Sequence, residues 1–280
     1  METTPCSKRV AIVGCGYVGM AVGRRLVADG AELVVTTTTP ARCRSLCEMG
    51  FIPVVARLDQ VEVLRTLLVG CDAVLLTVSA GRGAKRYRRV YAEGAKNLVL
   101  ALGGSGVRRI IYTSSTRVYR ENAGGWVDEN SSTRQVDSAG QALVEAENTL
   151  LNGGAKMGAS TSVLRLGGIH GPGRDLVERI WAAAGSTRND GEAFVNLVNV
   201  LDVVETIARL IPLQHHGVLN VTDGKPLVRR SLYDYHLKAH GRSPIHWQSS
   251  PDRTPGKRVV NRLVCELLGM SFTPAPAPPP

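Results

Sequence analysis

Three glycines near the start of the chain have a spacing that is typical of a phosphate-binding turn. Residues 10–22 read VAIVGCGYVGMAV, an apolar run followed by G-x-G-x-x-G and a second apolar stretch. The run predicts a buried strand, and the residues after it predict the start of a helix. In that setting Gly14 permits the tight turn, Gly16 lets the backbone approach a pyrophosphate, and Gly19 lets helix and strand pack closely. The helix N-terminus offers unpaired N–H groups to phosphates. We therefore expect this turn to bind a dinucleotide.

The end of the second predicted strand indicates which dinucleotide. An acidic residue there would bind the ribose hydroxyls of NAD, but the sequence reads VVTTTTPARCR and has no acid. Threonine hydroxyls with Arg42 and Arg44 tolerate a 2′-phosphate better than a carboxylate would, which favours NADP and leaves NAD open. Alternatively, the two arginines only solvate a helix. The expected cofactor-binding residues are Gly14, Gly16, Tyr17, Val18, Gly19, Thr37, Thr38, Arg42 and Val78.

Around this turn, strand-like and helix-like segments alternate. The runs VAIVG, AELVVTT, FIPVVA, DAVLLTVS and RRIIYTSS are short, apolar and rich in branched residues, and TSVLRLGG follows later. Such runs suit parallel strands that are buried on both faces. The pattern predicts an α/β fold, a Rossmann-type doubly wound parallel sheet with a small C-terminal substrate lobe. We expect a dinucleotide-binding core over 1–170, a mixed region with a return helix and the lobe over 171–272, and a disordered Pro-rich tail over 273–280.

Composition limits the remaining possibilities. The 34 Lys and Arg against 24 Asp and Glu give a formal charge of +10, and the densest basic stretch is GRGAKRYRR at 81–89. This charge suits an anionic ligand, or nucleic acid with less support, but it also suits a soluble Arg-rich surface. Cys43 and Cys47 lack a second ligand pair, so we expect no metal site. No run has the length of a membrane span and no leader is evident, which predicts a cytoplasmic protein.

Several further motifs occur in order along most of the chain. They are GCGYVG, IIYTSSTRVY, GGWVDEN, VLRLGGIHGPGR, NVLDVV and GKRVVNRLVCELLG. In these motifs the chain resembles the extended short-chain dehydrogenase-reductases, the NAD-dependent epimerase/dehydratase family, and within it an atypical branch. The resemblance implies that Ser115 takes the catalytic Ser position. It also places Ala139 and Leu143 where the family has its Tyr-x-x-x-Lys pair, and neither side chain can transfer a proton.

Other groups would then have to do the proton chemistry. His170 and Tyr119 are the candidates, although His170 could simply pack in its loop and Tyr119 could only shape the pocket. Arg165 and Arg174 could hold an anionic small-molecule substrate, and Arg165 could equally form a structural ion pair. The sequence thus predicts an NADP(H)-binding oxidoreductase or epimerase-like protein. The alternatives are a non-catalytic NADP(H) sensor or scaffold and, with less support, an RNA-binding member. The resemblance is compatible with a homodimer.

Overall fold

The computed structural model describes residues 9–81, 83–120, 123–134, 137–249 and 255–277. Arg82 of the basic stretch therefore lies outside the described residues. The strands are β1 (Arg9–Val13), β2 (Glu32–Thr37), β3 (Phe51–Val55), β4 (Ala73–Leu76), β5 (Arg109–Ser115), β6 (Trp126–Val127), β7 (Ser160–Leu166), β8 (Gly168–His170), β9 (Thr187–Arg188), β10 (Phe194–Val195), β11 (Leu197–Asn199), β12 (Gly217–Val221), β13 (Leu227–Val228), β14 (His246–Trp247) and β15 (Arg258–Val259).

The α-helices follow the same chain order. They are α1 (Tyr17–Ala28), α2 (Cys43–Glu48), α3 (Val61–Leu68), α4 (Ala84–Tyr87), α5 (Gly94–Leu102), α6 (Ser138–Lys156), α7 (Leu176–Trp181), α8 (Val200–Leu210), α9 (Arg229–Ala239) and α10 (Arg262–Leu268). A π-helical segment, Arg88–Glu93, joins α4 to α5, and 3-10 turns form at Pro40–Arg42 and Thr116–Val118. Within the described ranges, none of the helices combines the length and apolar character needed to cross a bilayer.

The chain divides into two compact units. The first comprises the described residues of Met1–Val118, Val136–Arg165 and Val204–Leu219, and the second those of Tyr119–Gln135, Leu166–Val203 and Asn220–Pro280. The structure therefore differs from the predicted single boundary at residue 170. The chain leaves the first unit directly after β5 and returns to it for α6, because local sequence patterning does not show which distant segments pack together.

A seven-stranded parallel sheet forms the centre of the first unit, in the order β12-β7-β5-β4-β1-β2-β3. Strand β1 pairs in parallel with both β2 and β4. From β1 the strands β2 and β3 are added towards one edge of the sheet, and β4, β5, β7 and β12 are added towards the other edge, so the order of addition reverses at β1. The side chains of β4 are all buried, as are all but the first of β1, which explains their unalternating apolar sequences. The predicted α/β, Rossmann-type class is confirmed. In such sheets ligands bind beyond the carboxyl ends of the strands at this point of reversal.

Four small two-stranded pairs form the β-structure described in the second unit: β8 with β11, β6 with β15, β9 with β14, and β10 with β13. Its core contains Leu176, Ile180, Leu197, Leu232, Leu237, Ile245 and Ala275. The presence of Ala275 in this core corrects the prediction of a disordered tail for residues 273–277. Phe272 and Ala275 are both buried, because an apolar residue on either side of a proline can pack even where regular structure cannot form. Residues 278–280 lie outside the described part of the chain.

Candidate functional site

The glycine turn between β1 and α1 is fixed by the ends of two neighbouring strands. Gly14 has φ of +94°, and a Cβ there would lie 2.9 Å from Val78 Cα, so only glycine fits without a backbone shift. Its N–H donates to Thr36 Oγ1 at 2.8 Å, and its carbonyl accepts from Thr77 Oγ1 at 2.7 Å. Sequence reasoning missed Thr36 and Thr77. Each is a buried threonine at the end of an apolar strand, which is the one signal that the sequence offered.

The other two glycines differ in the space around them. A Cβ on Gly19 would lie 2.7 Å from Thr77 Oγ1 and 2.9 Å from the Gly14 carbonyl, so glycine allows α1 to pack directly against the turn. A Cβ on Gly16 would meet nothing within 4 Å, and Gly16 is exposed. The Gly16 backbone thus borders open space at the start of α1. This arrangement fits the roles that the sequence assigned to both residues.

The first turn of α1 is suited to an anion. It contains no acidic residue, and no side chain caps it. The positive end of the helix dipole therefore meets no acidic side chain, which favours an anion at this end of α1. Tyr17 is half-buried and Val18 is buried in this turn.

The end of β2 is polar but carries no carboxylate. Thr37 is buried, and its Oγ1 accepts the Thr39 N–H at 3.2 Å, whereas Thr38 is exposed. The Arg42 guanidinium reaches back to α1, with Nη2 3.1 Å from Met20 Sδ. Burial raises the pKa of the Cys15 thiol to about 11, and the charge of Arg42 opposes that rise, so this cation lies near the glycine turn.

The carboxyl end of β5 carries Ser115. Ser115 is half-buried, and its Oγ accepts the Arg117 N–H at 3.2 Å. The Arg117 guanidinium pairs with Asp137, the N-cap residue of α6, and this hydrogen-bonded pairing lowers the pKa of the Asp137 carboxyl. Ala139 and Leu143, on the first two turns of α6, are 8% and 2% exposed. Both positions that the resemblance relates to Tyr and Lys are therefore buried and apolar.

Arg165 forms a buried ion pair. Its guanidinium Nη2 lies 2.7 Å from Glu147 Oε2 on α6, and both side chains are less than a tenth exposed. Ser114 Oγ donates to the other carboxylate oxygen of Glu147 at 2.5 Å. This network joins β5, β7 and α6. Of the two interpretations of Arg165, the structural ion pair is the one observed, because the buried Glu147 requires a cationic partner.

The remaining catalytic candidates, Tyr119 and His170, belong to the second unit. The Tyr119 hydroxyl donates to Asn220 Oδ1 at 2.6 Å and is buried, which gives it a structural hydrogen bond. His170, at the end of β8, is 4% exposed, and its Nε2 has no hydrogen-bond partner within the described part of the chain. Burial lowers the pKa of His170, and the charge of Asp223 partly opposes this. The backbones of Arg174 and Gly171 form an isolated antiparallel β-bridge.

The described part of the basic stretch, residues 81 and 83–89, is largely exposed. Arg88 Nη1 lies 3.7 Å from Glu145 Oε1 on α6, and Arg88 Nε lies 4.0 Å from Glu93 Oε1. These two carboxylates balance part of the Arg88 charge. Across the described residues, no group of three or more His, Cys, Asp or Glu side chains is arranged to hold a metal ion.

Comparisons with known proteins identify the family of this chain. A family model described as NAD(P)H-binding matches residues 14–153, the stretch that runs from the glycine turn into α6. Protein YeeZ of Escherichia coli (strain K12) is 31% identical over 270 residues, which cover 95% of this chain and 96% of that protein.

Solved structures share the fold over nearly the whole chain. MoeE5 in complex with UDP-glucose and NAD has a TM-score of 0.79 at 21% identity, and the match covers 96% of this chain and 94% of that one. A putative NAD-dependent epimerase/dehydratase from Methylobacillus flagellatus has a TM-score of 0.74 at 25% identity and 95% and 93% coverage. UDP-glucose 4-epimerase from Thermotoga maritima has a TM-score of 0.81 at 17% identity and 95% and 94% coverage.

Proposed function

This chain belongs to the NAD(P)H-binding family, and we propose that it is an NADP(H)-binding oxidoreductase- or epimerase-like protein that acts on a small hydroxyl or carbonyl substrate. The observation that carries the proposal is the glycine turn. Gly14 and Gly19 are packed against protein atoms, whereas Gly16 borders open space at an uncapped helix N-terminus without acidic residues. A nicotinamide dinucleotide is the cofactor that this family and this fold accommodate, and its pyrophosphate would be held by the backbone of Gly16 and the first turn of α1.

We propose that residues at the end of β2 give the protein a preference for NADP over NAD. The ribose-binding position there lacks a carboxylate, so a 2′-phosphate would meet no like charge. Arg42 would supply the opposite charge. Its guanidinium lies against Met20 on α1, and its positive charge counteracts part of the burial-induced rise in the pKa of Cys15. Thr38, exposed at the end of the strand, would add a hydroxyl donor.

When bound, the cofactor supplies a hydride acceptor or donor. The chain itself would then position and polarise the substrate oxygen. Ser115 would do this from the carboxyl end of β5, since its Oγ already accepts the Arg117 N–H and keeps its own proton free to donate. His170 and Tyr119 remain our candidates for proton exchange, with the buried imidazole of His170 favoured because the Tyr119 hydroxyl is engaged by Asn220.

A non-catalytic sensor or scaffold is the second candidate, and one observation favours it. Ala139 and Leu143 are buried apolar residues on α6, so no proton-transferring pair stands there. Both candidates predict nucleotide binding, and they differ in turnover. Either NADPH consumption with a carbonyl compound or redox-neutral epimerisation of a hydroxyl substrate would support the enzyme, provided that Ser115→Ala abolishes it and keeps nucleotide affinity. Equal background rates of both reactions in the two proteins would support the sensor.

The cofactor preference is tested by titrating NADPH and NADH into the wild type, Arg42→Ala and Arg44→Ala. Loss of a charge-assisted contact costs about 1.5–3 kcal/mol, or about 10- to 150-fold in affinity. We expect Arg42→Ala to lose that much NADPH affinity while its NADH affinity stays close to the wild-type value. Arg44, two residues further along in α2, is exposed and serves as the matched control. Equal NADPH affinity in all three proteins would refute the role of Arg42.

A further inference from the structure

The cation on which the proposed NADP preference depends is held by a methionine. Arg42 Nη2 lies 3.1 Å from Met20 Sδ on α1, and both side chains are half-buried. Within the described ranges, the Arg42 side chain forms no other hydrogen bond and no ion pair. Because a thioether is a weak hydrogen-bond acceptor, this contact holds the guanidinium with little free energy.

The contact joins the start of α1 to the exit of β2. Met20 lies one helical turn after Gly16, and its N–H donates to the Gly16 carbonyl at 2.9 Å. Arg42 ends the 3-10 turn that follows β2, where its N–H donates to the Thr39 carbonyl at 3.0 Å. These are the two places to which we assign the pyrophosphate and the 2′-phosphate. The sulfur therefore lies directly beside the group that would read the 2′-phosphate.

Oxidation changes the acceptor that Met20 offers to Arg42. A peroxide transfers one oxygen to the thioether: a lone pair of Sδ attacks that oxygen, the O–O bond breaks, an S–O bond forms and, after one proton shift, water leaves. The sulfur loses two electrons and the peroxide gains them. The resulting sulfoxide oxygen is polar, and its hydrogen bond to a guanidinium is charge-assisted.

We propose that Met20 is an oxidation site that lowers the affinity for NADPH by retaining Arg42 against α1. With the thioether, Arg42 exchanges a weak acceptor for the 2′-phosphate when NADPH binds. With the sulfoxide, it must first give up a charge-assisted hydrogen bond, so the contact with the phosphate contributes less affinity. NADH carries no 2′-phosphate, and its affinity stays the same. The inference rests on the role proposed above for Arg42.

The chain contains a second arginine–methionine contact that serves as a matched control. Met49 Sδ lies 3.9 Å from Nη2 of Arg24, and Met49 is half-buried like Met20. Arg24 is exposed on α1 and has no role in the proposed site for the 2′-phosphate. Met157, which is 37% exposed, reports the extent of a peroxide treatment.

The first test compares NADPH and NADH titrations of the wild type, Met20→Leu and Met49→Leu before and after treatment with hydrogen peroxide. Dithiothreitol added afterwards reduces disulfides and sulfenic acids, and peptide mass spectrometry measures the sulfoxide at each methionine. A charge-assisted contact corresponds to about tenfold or more in affinity. NADPH affinity should fall by that factor in the oxidised wild type and in oxidised Met49→Leu. It should stay unchanged in Met20→Leu, and NADH affinity should stay unchanged in all three proteins.

Two further proteins show whether the effect passes through Arg42. Met20→Gln places an oxygen acceptor at the same position of α1 without peroxide, and its NADPH affinity should be about tenfold lower than that of Met20→Leu. In Arg42→Ala, which lacks the guanidinium, peroxide should leave NADPH affinity at its untreated value. Equal NADH affinity across these proteins shows that each of them is folded.

Three results would overturn the inference while the cofactor preference stands. They are a Met20 that stays reduced when Met157 is fully oxidised, full NADPH affinity of the wild type with Met20 oxidised, and an equal loss of NADPH affinity in peroxide-treated Met20→Leu or Arg42→Ala. An untreated wild type without a preference for NADPH would refute the proposed cofactor preference, and the inference with it. The untreated titration therefore separates the two failures.

Discussion

Substitutions at two glycines of the same turn separate folding from cofactor binding. At Gly14 an alanine would need φ near +94° and would bring its Cβ within 2.9 Å of the Val78 backbone. The backbone strain costs about 1–2 kcal/mol and the overpacking about 1–3 kcal/mol, so we expect a loss of about 2–5 kcal/mol. With an unfolding entropy of about 2.1 cal/mol/K per residue, 280 residues convert that loss to a decrease of about 3–8 °C in Tm.

At Gly16 the same substitution meets nothing within 4 Å, and the residue has a negative φ of −88°. We expect less than about 1 kcal/mol of destabilisation, as at other N-cap positions. The new methyl group would occupy the space of the pyrophosphate, so NADPH affinity should fall by about tenfold or more, which is 1.4 kcal/mol or more. Calorimetry and NADPH titration of both variants provide the assay. A Gly16→Ala protein that binds NADPH like the wild type would contradict the phosphate-binding role of Gly16, and a Gly14→Ala protein with wild-type Tm would contradict the tight packing at Gly14.

Two further predictions concern buried charge. Glu147→Gln leaves Arg165 buried without its anion and should cost about 3–5 kcal/mol in urea unfolding, whereas Glu62→Gln, which breaks the exposed pair with Arg65, should cost less than about 1 kcal/mol. Equal losses would contradict the buried role. His170 has a pKa below its ordinary value of 6.5 because of burial, so the unfolded chain takes up a proton before the folded chain does. Stability should therefore decrease as pH falls below about 6.5, and His170→Asn should flatten that decrease in Tm between pH 7.5 and pH 5; parallel curves would count against it.

The sheet and the glycine turn could be predicted from sequence because their signals are local. A buried parallel strand has an unalternating apolar run, and the roles of Gly14, Gly16 and Gly19 follow from spacing within one turn. The hydrogen bonds from Gly14 to Thr36 and from Thr77 to Gly14 could not be predicted in the same way, because each depends on which strand lies beside β1. Arg165 illustrates the same limit, since its partner Glu147 lies 18 positions away on another element.

The tail shows a different limit. TPAPAPPP has the composition of a disordered end, and composition is the correct guide when no partner surface is known. Here the backbone of the tail is hydrogen-bonded by side chains from distant parts of the chain, Asp202, Asp223 and His236. Because backbone groups are the same in every residue, such contacts leave no pattern in the sequence of the tail. The boundaries of the two units were missed for a similar reason, because the chain returns to the first unit after β6.

Isothermal titration of the wild-type chain with NADPH and with NADH under the same conditions measures whether the glycine turn binds a nicotinamide dinucleotide and which one it prefers. We predict one NADPH bound per chain, with an affinity at least tenfold higher than that for NADH. Binding of NADH at equal or higher affinity would contradict the role assigned to the end of β2. Failure to bind either nucleotide would contradict the proposal that the glycine turn holds a nicotinamide dinucleotide.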